Sequence, residues 1–229
     1  DIFQYRFRKE DEMLANHALG NLIIAAMAEK ERDIFTGVQT LAKVMDVQGH
    51  VYPVADEPLV LHATFSDGTT LSGEAEITAA HKRIDSIWVT PQDDSTNEVA
   101  QAPSEVINAI LNADVIVLGP GSLFTSVLPN LMVPNVAEAL KATRAKVVYI
   151  ANIMTQKGET DDFSDSDHLR AINRHVGDNV VDAVIMNTGV VPEDYIDWKK
   201  WNEVSHQVTF DPEEVRQEGA VPVLGDLLE

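Results

Sequence analysis

A glycine-rich loop at residues 119–122 carries the clearest chemical signal in this sequence of 229 residues. The apolar run 113–118 precedes it and predicts a buried strand, after which Gly119 and Gly121 flank a proline. Glycines lack a Cβ atom, so backbone N–H groups at such a turn can approach an anion closely. Ser122 and Thr125 add hydroxyls at the start of a predicted helix, whose dipole favours negative charge. The combination predicts a phosphate or nucleotide site.

The loop differs from two common phosphate motifs. It lacks the third glycine of the dinucleotide-binding fingerprint, and it lacks the Lys-Ser/Thr pair of a Walker loop. The alternative interpretation is a strand-to-helix turn with a buried proline and no ligand.

Two further groups of polar residues could contact a ligand. Residues 152–160 follow a predicted strand and are rich in hydrogen-bond donors, which suits a sugar or the edge of a base. His17 and Asn21 share one face of a predicted helix, and Gly20 leaves room there for a ligand or a second backbone. The alternatives are a solvated loop for the first group and a polar pair crossing a packed helix for the second.

Four aspartates and a histidine follow within one short stretch: Asp161, Asp162, Asp165, Asp167 and His168. They could hold a divalent cation, with Asp161 and Asp165 as the candidate ligands. An acidic helix N-terminus, with Ser166 or Asp165 as N-cap, explains the same residues without a metal.

The overall charge excludes several partners. Lys and Arg number 17 against 37 Asp and Glu, a formal net charge of −20, so the field of the protein repels nucleic acid and anionic membranes. A bound phosphate must then be held locally by backbone amides, a few basic residues or a divalent cation such as Mg²⁺. The chain has no cysteine, which excludes disulfides and thiolate chemistry. With no visible signal peptide or membrane span, we expect a cytoplasmic protein.

Periodicity predicts the elements that position these residues. Two helices that we expect to be largely buried come first, at 12–30 and 35–44. Short strands follow at 50–54, 59–65, 70–73 and 84–90, with Asp67-Gly68 as a hairpin turn. A helix at 103–111 then leads into alternating strands and helices at 113–118, 135–142, 146–150, 166–176, 181–187 and 192–201.

This order predicts an α/β protein with a doubly wound, mostly parallel, Rossmann-like sheet and a small antiparallel β insertion. Ligands of such sheets bind beyond the carboxyl ends of the strands, so residues 119–122, 152–156 and 187–189 should converge on one crevice. Because no polar residue interrupts Val115 to Leu118, we expect that strand to be central, with all four side chains buried.

Four segments in order resemble the bacterial gluconeogenesis factor family, the regulatory branch of the 2-phospho-L-lactate transferase-like superfamily. They are residues 17–26, the hairpin Asp67-Gly68-Thr69, residues 113–130, and residues 152–160 together with Ser166-Asp-His168. The similarity runs through one domain at 1–210 and leaves 211–229 as a C-terminal tail.

The resemblance implies a cytoplasmic protein needed for growth and cell shape on gluconeogenic carbon sources, similar to members that bind a uridine diphosphate (UDP) sugar. It assigns the following residues to a nucleotide crevice: Gly119, Gly121, Ser122, Thr125, Asn21, His17, Asn152, Met154 and Thr155. The transferase branch instead joins a phospholactyl group to a deazaflavin alcohol, using a guanine nucleotide and a divalent cation.

The sequence departs from the family at its start. Members usually begin with a Gly-rich phosphate loop and an Asp-Asp segment, and neither is in this chain, so we expect an N-terminal portion of the site to be missing. Asn16 stands where a glycine commonly precedes the histidine, which makes the assignment of His17 weaker than that of Asn21.

Two functions remain open at this point. One is a regulator that senses a nucleotide sugar and acts through a protein partner; the other is a phospholactyl-type transferase. The regulator is favoured, because no acid, base or nucleophile emerges from the spacing and the catalytic residues stay unassigned. We also expect a homo-oligomer.

Overall fold

The computed structural model describes residues 3, 5–7, 17–93, 99–192 and 206–228. Its α-helices are α1 (Leu19–Glu31), α2 (Ile34–Val44), α3 (Glu74–Ala80), α4 (Ser104–Leu111), α5 (Leu128–Leu131), α6 (Pro134–Ala142), α7 (Asp165–Val176) and α8 (Pro212–Gln217). Its strands are β1 (Leu59–Phe65), β2 (Thr70–Ser72), β3 (Ile84–Pro91), β4 (Val115–Leu118), β5 (Lys146–Ile150), β6 (Ala183–Asn187) and β7 (Val221–Gly225).

A four-stranded parallel sheet in the order β4-β5-β6-β7 forms the base of the fold. Helical segments connect its strands, as the alternating sequence pattern predicts. Residues paired across the sheet lie on the same face, so Leu118, Tyr149 and Val184 form one row, and all three are buried. The α/β class and the parallel sheet are therefore confirmed.

The small antiparallel insertion is also confirmed. It is a three-stranded sheet in the order β2-β1-β3, and β1 and β2 form a hairpin. The turn contains Asp67 and Gly68, where the sequence predicts it. Gly68 has a φ of 79°, a positive value that glycine adopts more readily than other residues.

A layer of helices lies between the two sheets. On one side His168 of α7 stacks on Tyr149 of the parallel sheet, with ring centroids 6.5 Å apart. On the other side His175 of the same helix accepts a 3.1 Å hydrogen bond at Nε2 from the N–H of Ile87 in β3. Apolar side chains from all three layers form one continuous core.

The helix α7 begins with a capping box at Ser164. The Ser164 hydroxyl accepts from the N–H of Asp167 at 3.2 Å, and the Asp167 carboxylate accepts from the N–H of Ser164 at 3.1 Å. The sequence places the N-cap one or two residues too late. Ser166 instead donates its hydroxyl to the Asp211 carboxylate at 2.6 Å.

The predicted central position of β4 is wrong for the part of the chain that the structure describes. There β4 pairs only with β5 and is an edge strand. Val115 and Val117 are 55% and 53% exposed, while Leu118 is buried. The two exposed valines belong to the sheet face opposite the helix layer, and Val221 and Val223 of β7 are exposed on that same face.

The expected burial of the first two helices is also wrong. No residue of α1 is buried, and Gly37 is the one buried residue of α2. The two helices pack closely on each other, and the backbone at Gly37 approaches that of Ala28, where a Cβ would lie 2.8 Å from the Ala28 nitrogen. They form a hairpin whose outer surface is in contact with solvent rather than the core.

Three smaller expectations also differ from the structure. Residues 50–54 form no strand, and α3 occupies a segment that the sequence left unassigned. Residues 211–229, predicted as a tail, contain α8 and β7, and β7 is the fourth strand of the parallel sheet. The helix predicted at 192–201, with Trp198 and Trp201, lies outside the described residues beyond position 192.

Among the described residues, no helix has the length and apolar character needed to cross a membrane.

We predict that Ser164→Ala destabilises the protein by about 1–2 kcal/mol, because the N-terminal N–H of Asp167 loses its acceptor. Urea unfolding followed by circular dichroism measures the change. The matched control is Ser104→Ala at the start of α4, where no side-chain cap forms and the change should stay within about 0.5 kcal/mol. Equal losses in both variants would contradict the capping assignment.

Candidate functional site

The two predicted ligand loops meet at the carboxyl ends of β4 and β5. Asn152, two residues beyond β5, donates its Nδ2 to the carbonyl oxygen of Gly121 at 3.0 Å. The Oδ1 atom of the same amide accepts from the hydroxyl of Tyr149 at 3.2 Å. Tyr149 is fully buried, and burial raises the pKa of its hydroxyl, so it remains a proton donor. The sheet therefore fixes the amide that holds the glycine loop.

Gly119 has a structural reason to be glycine. Its φ is +88°, a conformation that side chains disfavour, and a Cβ there would lie 3.3 Å from the carbonyl oxygen of Ile150. The close approach lets the loop turn directly over the end of β5.

The loop presents backbone donors at its far end. The N–H groups of Gly121 and Ser122 have no hydrogen-bond acceptor among the described residues. After them the chain forms one π-helical turn at Leu123–Val127, closed by a 2.9 Å bond from the Val127 N–H to the Ser122 carbonyl, and continues into α5. Such turns are frequent at functional sites. The arrangement can accept an anion at the start of this helical segment.

A buried carboxylate lies beside these donors, and the sequence analysis did not single it out. Glu159 is 3% exposed; its carboxylate accepts from the Ser122 hydroxyl at 2.9 Å and from Thr78 at 3.3 Å. The Ser122 and Thr125 hydroxyls are 2.7 Å apart. The site thus combines free backbone donors with a carboxylate and two hydroxyls.

The turn before Glu159 depends on Gly158. A Cβ at Gly158 would lie 2.4 Å from the carbonyl carbon of His81, so only glycine lets this turn pack against the end of α3. The Gly158 N–H also donates to the Asp161 carboxylate at 2.8 Å. A glycine directly before an acidic residue in a donor-rich loop was the available signal for Glu159.

Other predicted residues of the crevice have structural partners. Thr155 is buried and bonds to residue 206 through both its N–H and its hydroxyl, at 2.7 and 3.0 Å. Met154 forms an isolated bridge with Gln207. Asn187 lies at the end of β6, but its amide bonds to the backbone of Gly189 and Leu227. These residues shape the edge of the site rather than facing the glycine loop.

Among the described residues, no hydrogen bond joins His17 or Asn21 to these loops, so their place in the crevice stays a prediction. Both are exposed at the start of α1. The four-residue spacing identifies a shared helix face, but it does not determine what that face contacts.

The acidic stretch after residue 160 does not form a metal cluster. In the described ranges, no group of three or more His, Asp or Glu side chains has an arrangement suited to a metal. Asp161 holds a turn, Asp167 belongs to the capping box, and the Nδ1 atom of His168 donates to the Ser164 carbonyl at 2.8 Å. The helix N-terminus interpretation therefore accounts for these residues.

Asp165 is the exception in this stretch because it is buried. It is 4% exposed, and burial together with the charge of Asp211 raises the pKa of its carboxyl to about 7. His168 beside it is fully buried, which lowers the pKa of its imidazole. Its Nε2 atom has no hydrogen-bond partner in the described structure. The His168 ring stacks on Tyr149, whose hydroxyl in turn orients Asn152.

A cavity of about 560 Å³ opens beside the π-helical turn. Thr125 and Asn130 line one side, and Val54, Leu61 and Glu74 of the insertion line the other. Its volume is in the range that binds small organic ligands. The cavity and the free N–H groups of the glycine loop are thus adjacent along one short helical segment.

Comparison with known proteins assigns this chain to a family. The family model described as "2-phospho-L-lactate transferase CofD" matches residues 1–228. The chain belongs to the CofD family. It is 46% identical over 229 residues to a Lactococcus lactis protein named "Putative gluconeogenesis factor", covering all of this chain and 69% of that protein. It is 42% identical over 219 residues to the "Gluconeogenesis factor" of Bacillus subtilis, covering 96% of this chain and 67% of that protein.

Solved structures of relatives share the fold of this chain. A crystal structure of a UPF0052 family member from Bacillus halodurans superposes with a TM-score of 0.88 at 39% identity, covering 98% of this chain and 70% of the other. Matched Streptococcus pyogenes proteins are covered over 64% of their length. The chain therefore spans about two thirds of its relatives.

We predict that the contribution of Asp165 to stability falls as the pH rises from about 4 to about 7, because folded Asp165 keeps its proton over this range while the unfolded aspartate loses it. Asp165→Asn should remove this loss, so the variant gains stability relative to the parent at pH 8 but not at pH 4. The gain is on the order of a few kcal/mol at most. Urea unfolding at both pH values measures it.

The matched control is Asp114→Asn, an exposed aspartate just before β4. Its effect should be equal at the two pH values. If Asp165→Asn also changed stability by the same amount at pH 4 and pH 8, the shifted titration of Asp165 would be refuted.

Proposed function

We propose that this CofD family protein binds a nucleotide sugar and acts as a regulator of gluconeogenic growth and cell shape rather than as a transferase. The observation that carries the proposal is the junction of the two loops: Asn152 holds the Gly121 carbonyl while the N–H groups of Gly121 and Ser122 remain without an acceptor in the described structure. The names of the relatives support the gluconeogenic role.

The proposed diphosphate contact relies on backbone donors because the protein is strongly acidic. N–H groups at a helix start supply local positive potential without a charged side chain. Gly121 and Ser122 directly precede the π-helical turn Leu123–Val127, whose Thr125 lines the 560 Å³ cavity. A diphosphate on the loop would then leave a sugar or a base within reach of that cavity.

Glu159 decides where on the loop an anion can bind. Its buried carboxylate accepts from Ser122 and repels a phosphate near that hydroxyl, so the backbone N–H groups are the favoured contact. One carboxylate with two hydroxyls also suits a Mg²⁺ ion that arrives with the nucleotide, because Mg²⁺ binds through few protein ligands and the phosphates. Glu159, Ser122 and Thr125 would hold such an ion.

The absence of basic contacts to the loops among the described residues favours a regulatory function over group transfer. No lysine or arginine in the part of the chain that the structure describes forms a hydrogen bond or ion pair with loops 119–122 and 152–155. Transfer of a phosphoryl group needs positive charge where negative charge develops in the transition state.

We further propose a protein partner and a homo-oligomeric state. Size-exclusion chromatography with light scattering can measure the oligomeric state.

We predict that UDP-glucose binds, that UDP binds comparably, and that UMP binds at least about tenfold more weakly because it lacks the second phosphate for the loop. Asn152→Leu should weaken UDP-glucose binding by about tenfold, since the side chain no longer holds the Gly121 carbonyl. Isothermal titration calorimetry measures each affinity. The control is Asn108→Leu on the exposed face of α4, which should bind as the parent does.

Equal affinity for UDP and UMP, or an unchanged affinity in Asn152→Leu, would refute the loop as the diphosphate site.

We predict no turnover when the protein is incubated with Mg²⁺ and UDP-glucose, because none of the described lysines and arginines contacts the two loops to stabilise charge in a transition state. Chromatography of the reaction for free UDP tests this. Sustained release above a control without protein, lost in Ser122→Ala, would show that the site transfers the sugar to water and would contradict the regulator proposal.

A further inference from the structure

A second, separate cavity lies on the other side of the π-helical turn, between β3 and α7. Its volume is about 230 Å³. Three arginines line it: Arg83 at the start of β3, and Arg170 and Arg174 one turn apart on α7. In a chain with a net charge of −20, three arginines around one small cavity form a local exception.

The floor of this cavity is apolar. Phe124 and Phe163 contribute two rings, 6.2 Å apart at the centroids and nearly perpendicular, and Ile84 and Ala171 are buried beside them. Phe163 also carries the guanidinium of Arg83 over its ring at 6.0 Å. A cavity with an aromatic floor and a basic rim binds molecules that have an apolar body and an anionic group.

The charges of the rim leave room for such an anion. Arg170 pairs with Asp167 and Glu218, and Arg174 pairs with Asp85. These pairs are about half exposed to solvent, so each contributes little and an arginine can share its donors with a ligand. Arg83 is exposed, and no carboxylate of the described residues pairs with it. The three guanidinium groups thus face three carboxylates, Asp85 and Asp167 in the lining and Glu218 beside Arg170, and all three carboxylates pair with Arg170 or Arg174 rather than with Arg83.

Arg174 is positioned for this role by the backbone. Its Nη2 atom donates to the carbonyl oxygen of Asp85 and its Nη1 atom lies 3.4 Å from the Asp85 carboxylate. Arg170 is also held at two points, by the carboxylates of Glu218 and Asp167. The two guanidinium groups are therefore oriented before any ligand binds, which lowers the entropic cost of binding.

We propose that the cavity between Arg83, Arg170, Arg174 and the rings of Phe124 and Phe163 is a binding site for a small organic phosphate monoester with a ring-sized apolar body. A ligand with a dianionic phosphate suits this site better than a ligand with one carboxylate. The phosphate carries more charge, and each of the three guanidinium groups can donate charge-assisted hydrogen bonds to it. The ring-sized body fits the volume and the aromatic floor. This site is independent of the glycine loop and of the nucleotide proposal.

Phenyl phosphate is the probe for this site, titrated by calorimetry at low ionic strength. The expected result is saturable binding of one molecule per chain, which weakens with added salt. Inorganic phosphate, which lacks the ring, and phenol, which lacks the charge, should each bind more weakly. Absence of binding by phenyl phosphate overturns the proposal, as does equal binding of inorganic phosphate, because the aromatic floor would then have no role.

The decisive variant is Arg83→Gln, which should weaken phenyl phosphate binding by at least about tenfold through loss of a charged donor. The matched control is Arg144→Gln, an exposed arginine after α6 that undergoes the same change of charge and should bind as the parent does. Equal weakening in both variants would indicate general surface electrostatics and overturn the site. Melting curves without ligand establish that both variants are folded.

Asn152→Leu separates this cavity from the glycine loop. Retained binding of phenyl phosphate in Asn152→Leu, together with its loss in Arg83→Gln, supports the arginine site. The opposite pattern would place the probe on the loop and overturn the proposal.

Discussion

The hydrogen bond from Asn152 to the Gly121 carbonyl is the contact on which the candidate site depends. It joins the loops that leave two neighbouring parallel strands, and it is itself oriented by the buried hydroxyl of Tyr149. The order of strands thus determines which loops can meet, and a single amide then fixes how the backbone donors of the glycine loop are presented. Thr155 and Asn187 form hydrogen bonds to the backbone that hold the ends of these loops in place.

Local signals in the sequence were enough to predict most of the elements and the positions of the loops that follow β4 and β5. Apolar runs identify β4 and β5, and a glycine pair or an amide-rich segment marks the loop after each strand. The glycine before Glu159 is a local signal for a turn, but it does not show that the carboxylate is buried, because that depends on contacts with Ser122 and Thr78, which are 37 and 81 residues away in the chain. The capping serine was missed by a small margin, since several serines and aspartates in succession can cap a helix equally well.

The larger differences between the predictions and the structure concern what each strand or helix packs against, rather than where it lies in the sequence. An apolar run predicts that side chains avoid water, but it does not identify what covers them, so Val115 and Val117 were expected to be buried and are exposed. The same reasoning failed for α1, which is rich in apolar residues and contacts mainly α2. Short α3 was missed because seven residues give too weak a periodic signal.

The exposed face of the parallel sheet has a consequence for how the chain behaves in solution. Val115 and Val117 on one outer strand, and Val221 and Val223 on the other, expose apolar side chains on the same face of the sheet, and exposed apolar area favours association between molecules. The net charge of −20 opposes this attraction by repulsion between molecules. Salt screens the repulsion but leaves the apolar attraction in place. The colloidal stability of the chain is therefore a balance between these two forces, and ionic strength sets which of them dominates.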